Sequence, residues 1–193
     1  MLNKEDLKSM QKEMADFDSE REDLIKKSRD LIKLSKQVIY SVHRDDIKDA
    51  EKLIKDMNTK LAELNKIAKK DNRLPQEGSY RVAVGEYVEA ILYFEFVKNK
   101  KIPNRKELKV DTIHYLLGLC DLTGELVRKA VFLAGKDKSK DVLVIKDLID
   151  DIYGELLKFN IRDNELRRKF DSVKYDLKKL EDLVLDLKLK GKL

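Results

Sequence analysis

Four carboxylates stand in the most apolar stretches of the sequence. Glu86 and Glu89 are three positions apart among valines and tyrosines, and Asp121 and Glu125 are four positions apart among leucines. At about 100° per residue, each pair shares one face of a helix. Burial of an ionised carboxylate is costly unless it is compensated, and neighbouring carboxylates repel each other. These acids therefore predict a face that is supplied with cations, protons or water.

Three kinds of compensation are open on the residues alone. Arg128 lies one turn after Glu125 and would make a structural ion pair, or the face would line a wet cavity. A divalent cation is the third possibility, because a ligand set of oxygens only favours Mg²⁺, Mn²⁺ or Ca²⁺. A ferritin-like di-iron site fits poorly, since it needs Glu-x-x-His on two helices and the chain has only His43 and His114. The pattern does not decide between these compensations and a plain solvated surface.

Helices must position these acids, because apolar residues recur at spacings of three and four along the chain. The predicted helices run from Lys4 to about His43, from Asp46 to Lys70, from about Ser79 to Lys98, from near Val110 to Leu133, from about Ser139 to Phe159, and from Asp163 or Asn164 to Lys190. We predict an all-α fold: an antiparallel bundle of six or seven long helices in one domain over residues 1–193. Gly118 and Gly124 are poor helix formers, so we expect another backbone or a ligand to approach closely there.

Composition restricts the partners and the compartment. The net charge of +5 comes from 42 basic and 37 acidic residues, which allows an anionic partner without requiring one. Cys120 is the only cysteine, so an intramolecular disulfide and a thiolate metal cluster are excluded. No apolar signal or membrane-spanning stretch is found, which predicts a cytoplasmic protein without membrane contact. The heptad stripes of the longest helices favour a homo-oligomer.

Three motifs carry a resemblance to a known family. Two of them resemble the signature helices of translin-associated factor X, a branch of the translin family: Gly85-Glu86-Tyr87-Val88-Glu89-Ala90 and Tyr115-Leu116-Leu117-Gly118-Leu119-Cys120-Asp121-Leu122-Thr123-Gly124-Glu125-Leu126. The third resembles the last helix of translin itself, over Asn164-Glu165-Leu166-Arg167-Arg168-Lys169-Phe170-Asp171-Ser172-Val173-Lys174-Tyr175-Asp176-Leu177-Lys178-Lys179-Leu180-Glu181-Asp182. The likeness covers most of the chain after about residue 15.

The resemblance implies an endoribonuclease that uses Mg²⁺, or Mn²⁺ in its place. Translin binds single-stranded nucleic acid, whereas the factor X branch supplies the Mg²⁺-dependent site. Translin has non-acidic residues at the positions of Glu86, Glu89 and Asp121 and keeps a glutamate at that of Glu125. The first three acids are therefore implied as the catalytic metal ligands, with Glu125 as a fourth. The family also implies closed octameric shells, and hydrolysis is expected to leave a 5′-phosphate and a 3′-hydroxyl.

The RNA contacts are less completely matched. Arg81 follows Tyr80 where translin has a tryptophan–arginine pair, so the resemblance implies an RNA contact at Arg81. His114 departs from the aspartate usual in the family. On their predicted faces, His114 and Arg128 are candidates to position or shield the phosphate. The substrate is expected to be single-stranded or short structured RNA. Two alternatives stay open: a non-catalytic translin-like binder of single-stranded RNA or DNA, and a structural module that binds protein partners.

Overall fold

A computed structural model describes residues 2–193, and none of these residues lies in a β-strand. This confirms the predicted all-α fold. Of the six or seven helices predicted, the described residues form seven. A single 3₁₀ turn covers Leu74–Gln76. The seven α-helices are α1 (Lys4–His43), α2 (Ile47–Ala68), α3 (Gly78–Asn99), α4 (Arg105–Leu108), α5 (Thr112–Gly135), α6 (Ser139–Leu156) and α7 (Asn164–Leu189).

Short polar side chains cap the start of four of the six long helices. Asn3 caps α1 by accepting hydrogen bonds from the amides of Glu5 and Asp6. Asp46 caps α2, Asp111 caps α5 and Asp163 caps α7 in the same way. Such a side chain satisfies backbone amides that have no partner within the helix. These caps set the starts of α1, α2, α5 and α7, within a few residues of the starts predicted from apolar periodicity.

Helices α3 and α5 lie at the centre of the bundle, and this position explains why their sequences are so apolar. Helix α1 packs against α2 and α3, α3 packs against α5, and α5 packs in turn against α6 and α7. Helices α3 and α5 are thus covered by neighbours on more than one side. Each contributes fully buried leucines, Leu92 from α3 and Leu122 and Leu126 from α5. A helix that is apolar on several faces is expected in such a position.

Gly118 allows α3 and α5 to approach very closely. A Cβ atom built on Gly118 would lie 2.6 Å from the Cβ of Val88 and 2.7 Å from the carbonyl oxygen of Gly85. The prediction of a close backbone approach is confirmed at Gly118. At Gly124 a Cβ would meet only an Asp176 oxygen at 3.8 Å, so no backbone approaches there. The contact at Gly118 places the acids of α3 beside those of α5.

The first turns of α1 extend beyond the core. Residues 2–16 are all exposed, and the first buried residue of this helix is Leu24. We call Lys4–Asp16 the N-terminal arm. Leu7, Met10 and Met14 form an apolar stripe on it and are 40%, 49% and 65% exposed. Among residues 2–193, no helix combines the length and the apolar character needed to cross a membrane.

Candidate carboxylate site

Three of the predicted acids line one cavity, which we call the carboxylate cavity. It has a volume of about 310 Å³ and lies between α3, α5 and α7. Helix α3 contributes Glu86 and Glu89, and α5 contributes Asp121. The other lining residues are Cys120, Gly124, Lys169, Ser172 and Asp176. The structure therefore brings together acids that are more than thirty residues apart in the chain.

Glu89 is the most deeply buried of these acids. Its exposed fraction is 8%, and among the described residues it makes no ion pair or side-chain hydrogen bond. Burial, followed by the charges of Asp121 and Glu86, raises the pKa of Glu89 to about 9. Burial also raises the pKa of the half-buried Glu86, and the charge of Lys36 opposes that increase. Both carboxyls lack a direct cationic partner.

Asp121 has a cationic partner on α7. The Lys169 ammonium lies 2.6 Å from one carboxylate oxygen of Asp121 and 2.5 Å from the other. Burial raises the pKa of Asp121, and the hydrogen bond from Lys169 opposes this. Lys169 was not among the site residues predicted from the sequence. The only available signal was its place in the α7 motif, because periodicity does not show which helix lies beside α5.

Glu125 lies in an adjoining cavity of about 300 Å³, which also reaches Glu86 and Glu89. His43, at the end of α1, hydrogen-bonds Glu125 through Nε2 and thereby lowers the pKa of that carboxyl. The Tyr93 hydroxyl lies 3.0 Å from His43 Nδ1 and holds the other side of the ring. Glu125 is thus close to the other acids, because Glu86 and Glu89 line both its cavity and the carboxylate cavity. His43, like Lys169, was not among the predicted site residues.

Arg128 lines the adjoining cavity, as its predicted face requires. Its guanidinium lies 3.7 Å from Glu125 and is 62% exposed. An exposed pair at this distance contributes little to stability. The guanidinium therefore remains accessible to an anionic ligand at the mouth of the cavity.

Arg81 and His114 lie elsewhere, in a third cavity near the start of α5. The Arg81 guanidinium is 2.8 Å from Asp163 and 3.4 Å from Glu165. His114 Nδ1 is 2.5 Å from Asp111, and its ring meets that of Tyr80 edge to face. His114 therefore lines a different cavity from Asp121. The ion pairs of Arg81 tie the first turn of α3 to the start of α7.

The carboxylate oxygens of these acids are the kind of ligand that a hard divalent cation prefers. Their arrangement in the structure is not that of a metal site. Carboxylate oxygens are the ligands that Mg²⁺ prefers, and Glu89 is a buried acid without a counter-charge. However, within residues 2–193 no three His, Cys, Asp or Glu side chains are grouped closely enough to hold a metal ion. Asp121 and Glu125 are hydrogen-bonded to Lys169 and His43 instead. The chemistry of the donor set fits a metal, whereas its present hydrogen bonds favour the protein's own cations.

Cys120 forms part of the wall beside Asp121. Its side chain is 1% exposed, and burial raises the pKa of the thiol to about 12. The thiol is therefore protonated and unreactive at neutral pH. It contributes apolar volume to the wall.

Comparison with known proteins identifies the group to which this scaffold belongs. The translin family model matches residues 19–191, which is most of the chain. The chain belongs to the translin family. An uncharacterised protein of Methanocaldococcus jannaschii is 30% identical over 169 residues, which cover 82% of this chain and 72% of that protein. This relative is therefore similar to the chain over most of its length.

Translins of vertebrates match a shorter part. Translin of Gallus gallus is 33% identical over 82 residues, 42% of this chain and 36% of that translin. Human translin is 32% identical over 90 residues, 46% of this chain and 40% of that protein. The matched segments thus span less than half of these translins.

Solved structures share the fold over nearly the whole chain. The crystal structure of apo-NeC3PO is 29% identical, covers 96% of this chain and 97% of its own, and has a TM-score of 0.86. AfC3PO, at 21% identity, covers 95% of this chain and 97% of its own with a TM-score of 0.83. A complex of AfC3PO with duplex RNA gives a TM-score of 0.81, also at 21% identity, and covers the same 95% and 97%. At 21% identity the likeness establishes the fold alone.

Proposed function

We propose that this protein is an endoribonuclease that uses Mg²⁺, or Mn²⁺, to hydrolyse single-stranded or short structured RNA. The observation that carries the proposal is Glu89, an acid buried without a cationic partner in a cavity that it shares with Glu86 and Asp121. An acid with a strongly raised pKa and several acidic neighbours, lying in a cleft, is a functional-site candidate. A divalent cation would remove the repulsion that these groups otherwise sustain.

Family membership supports RNA as the substrate class. A structural relative with the same fold has been solved with duplex RNA bound. The motifs that carry Glu86, Glu89 and Asp121 resemble the translin-associated factor X branch, which supplies the nuclease site in this family. The acids are thus present in the motifs where that branch needs them.

Each residue of the site has a distinct part in the proposed mechanism. Glu86, Glu89 and Asp121 would hold the cation, with Glu125 as a fourth acid in the adjoining cavity. When bound there, Mg²⁺ or Mn²⁺ would supply positive charge for the phosphodiester oxygens and would favour ionisation of water at neutral pH. His43 and Tyr93 orient Glu125. The exposed guanidinium of Arg128 suits a phosphate, which it can bind through two parallel hydrogen bonds.

A non-catalytic, translin-like binder of single-stranded RNA or DNA is the second candidate. It is favoured by one observation, the pairing of Asp121 with Lys169. If this pair persists, the cavity is partly neutralised without a metal. This alternative predicts salt-sensitive binding of nucleic acid and no turnover in any divalent cation.

Cleavage of end-labelled single-stranded RNA separates the two candidates. We expect the wild-type chain to cut in Mg²⁺ or Mn²⁺ and to stop in EDTA. Glu89→Gln and Asp121→Asn should each lower kcat by about 100-fold or more, since each removes an acid that would hold the cation, and the cation would stabilise the developing charge. Glu181→Gln is the matched control, because Glu181 is an exposed acid of α7 outside both cavities. Undiminished cutting by both site variants would remove these acids from the chemistry.

We also propose that the chain assembles into a homo-oligomer, with an octameric shell as its closed form. The exposed apolar stripe of the N-terminal arm supports this, because such a stripe is usually covered by another helix.

A further inference from the structure

A groove between α1 and α2 lies next to the carboxylate site. Its volume is about 810 Å³, larger than the carboxylate cavity. Helix α1 provides most of its wall, and α2 provides Asp49 and Leu53. The lining residues of α1 are Arg29, Ile32, Lys33, Lys36, Gln37, Tyr40 and Ser41. Neither the predicted site nor its proposed mechanism uses this groove as a binding surface.

The α1 wall of the groove is strongly basic. From Leu24 to Arg44 the only acid is Asp30, among six lysines and arginines. Arg29, Lys33 and Lys36 are exposed, and none of them forms an ion pair with a described residue. The acid within the groove, Asp49, accepts a hydrogen bond of 2.6 Å from the Ser41 hydroxyl. The groove therefore carries a net positive charge that the protein itself does not neutralise.

The basic wall leads directly to the acids. Arg29, Lys33, Lys36 and Tyr40 follow one another at spacings of three and four, and so form one row along α1 over about 16 Å at 1.5 Å per residue. Lys36 and Tyr40 line both the groove and the cavity that contains Glu86, Glu89 and Glu125. The charge of Lys36 also lowers the pKa of Glu86, which agrees with this proximity. The groove and this cavity therefore adjoin at Lys36 and Tyr40.

Tyr40 provides an aromatic surface where the groove meets the site. Its side chain is 56% exposed. The Arg44 guanidinium lies 5.6 Å from the centre of the Tyr40 ring and 3.2 Å from its hydroxyl. An exposed ring beside unpaired cations is how proteins hold single-stranded nucleic acid, because bases stack on the ring while the cations follow the backbone.

We propose that this groove binds a single-stranded segment of RNA and directs it toward the carboxylate site, with phosphates on Arg29, Lys33 and Lys36 and a base stacked on Tyr40. The inference rests on the proposed function and adds the path of the substrate. The groove has apolar residues in its floor, Ile32 and Leu53, which a second copy of this chain would also contact. The unpaired cations favour a polyanion as the occupant, since a second copy would present its own basic row.

Binding of a fluorescein-labelled oligouridylate, measured by fluorescence anisotropy in EDTA, tests the groove without any cleavage. The charge variant is Arg29→Gln with Lys33→Gln, two residues that line the groove but neither carboxylate-lined cavity. We expect about 10-fold weaker binding at low salt and a salt slope that is smaller by about 1.4, because two phosphate contacts are lost. Lys8→Gln with Lys12→Gln is the matched control, with the same spacing and charge change in exposed positions of the same helix.

Tyr40 is tested in the same assay by two substitutions. Tyr40→Leu should weaken binding by about 10-fold with an unchanged salt slope, because a stacked base loses its platform. Tyr40→Phe keeps the ring and should bind like the wild type.

The outcomes separate the groove from the nuclease proposal. Wild-type affinity in both the charge variant and Tyr40→Leu would overturn the groove and leave the cleavage experiment unaffected. A charge variant that changes the mass of the assembly in light scattering would identify the groove as a contact between chains, and would also overturn the proposal. If the wild type binds through the groove but never cuts RNA, the nuclease proposal fails and the groove stands.

Discussion

The folded protein favours the neutral form of Glu89, and this has a consequence for stability. The pKa of this carboxyl rises from 4.5 to about 9 on folding. A pKa that is raised by folding contributes stability that is fully present below pH 4.5 and is lost as the pH rises through 9. Without a cation, the protein is therefore expected to lose stability across that pH window.

Replacement by the neutral isostere tests this directly. In EDTA at pH 8, Glu89→Gln should raise the free energy of unfolding by roughly 1–3 kcal/mol, because glutamine folds without the proton that the ionised Glu89 of the unfolded chain must take up to be buried. The gain should shrink as the pH falls toward 4.5. Urea unfolding at several pH values measures it, and Glu181→Gln should change little at any of them. A variant that is no more stable than the wild type at pH 8 would show that folding does not raise the pKa of Glu89.

The acids of the site were predictable at the residue scale, but their partners were not. Glu86, Glu89 and Asp121 attract attention because charges are unexpected on apolar faces. Lys169 and His43 are ordinary in type and position, and become significant only because α7 lies beside α5 and the end of α1 reaches Glu125. The resemblance implied an RNA contact at Arg81. In the structure its guanidinium instead pairs with Asp163 and Glu165 at the start of α7.

At the scale of elements, the close crossing of α3 and α5 depends on Gly118. Gly118→Ala should lower the free energy of unfolding by about 1–3 kcal/mol, because the added methyl group meets Val88 and a backbone carbonyl that cannot easily move. The added methyl group should also push α3 and α5 apart, which would separate the acids of α3 from Asp121 and weaken any binding of Mn²⁺. Calorimetric unfolding and Mn²⁺ titration measure the two effects.

Gly154→Ala provides the opposite expectation within the same fold. No atom lies within 4 Å of a Cβ built on Gly154 in α6. Alanine should therefore stabilise the protein by up to about 1 kcal/mol through helix propensity. Equal destabilisation by both substitutions would contradict the account of the crossing.

The boundaries of the elements show where periodicity is insufficient. The four-residue helix α4, with Asn104 as its cap, is too short to produce an apolar repeat. Helix α6 was predicted to reach Phe159 but ends at Leu156. The residues that follow it form turn-type hydrogen bonds, from the Lys158 amide to the Glu155 carbonyl and from the Phe159 amide to the Leu156 carbonyl. An apolar residue at the right spacing was present, but it lies outside the core.

At the scale of the whole molecule, the N-terminal arm is the part of α1 that the bundle does not cover. Met10→Lys with Met14→Lys should reduce the mass of the assembly, because charges replace the apolar stripe that another chain would cover. Size-exclusion chromatography with light scattering measures the mass. Leu157→Lys is the control, since Leu157 is an exposed leucine distant in sequence from the arm.

An unchanged mass in the arm variant would show that assembly uses another surface. The heptad stripes of the sequence predicted that the apolar face of each long helix is buried against another helix. They do not distinguish a stripe that is buried within the chain, such as that of α7, from one that remains exposed, such as Leu7, Met10 and Met14. That distinction depends on how far α1 extends past its neighbours.

The single thiol of Cys120 can report on opening of the carboxylate site. The chain has no second thiol, and this one is sealed into the wall that also holds Asp121. Its rate of alkylation therefore records how often the α3–α5–α7 junction opens, without any engineered label. Ligands that bind among the acids would slow that labelling, so occupancy of the site can be followed even for a compound that is never cut.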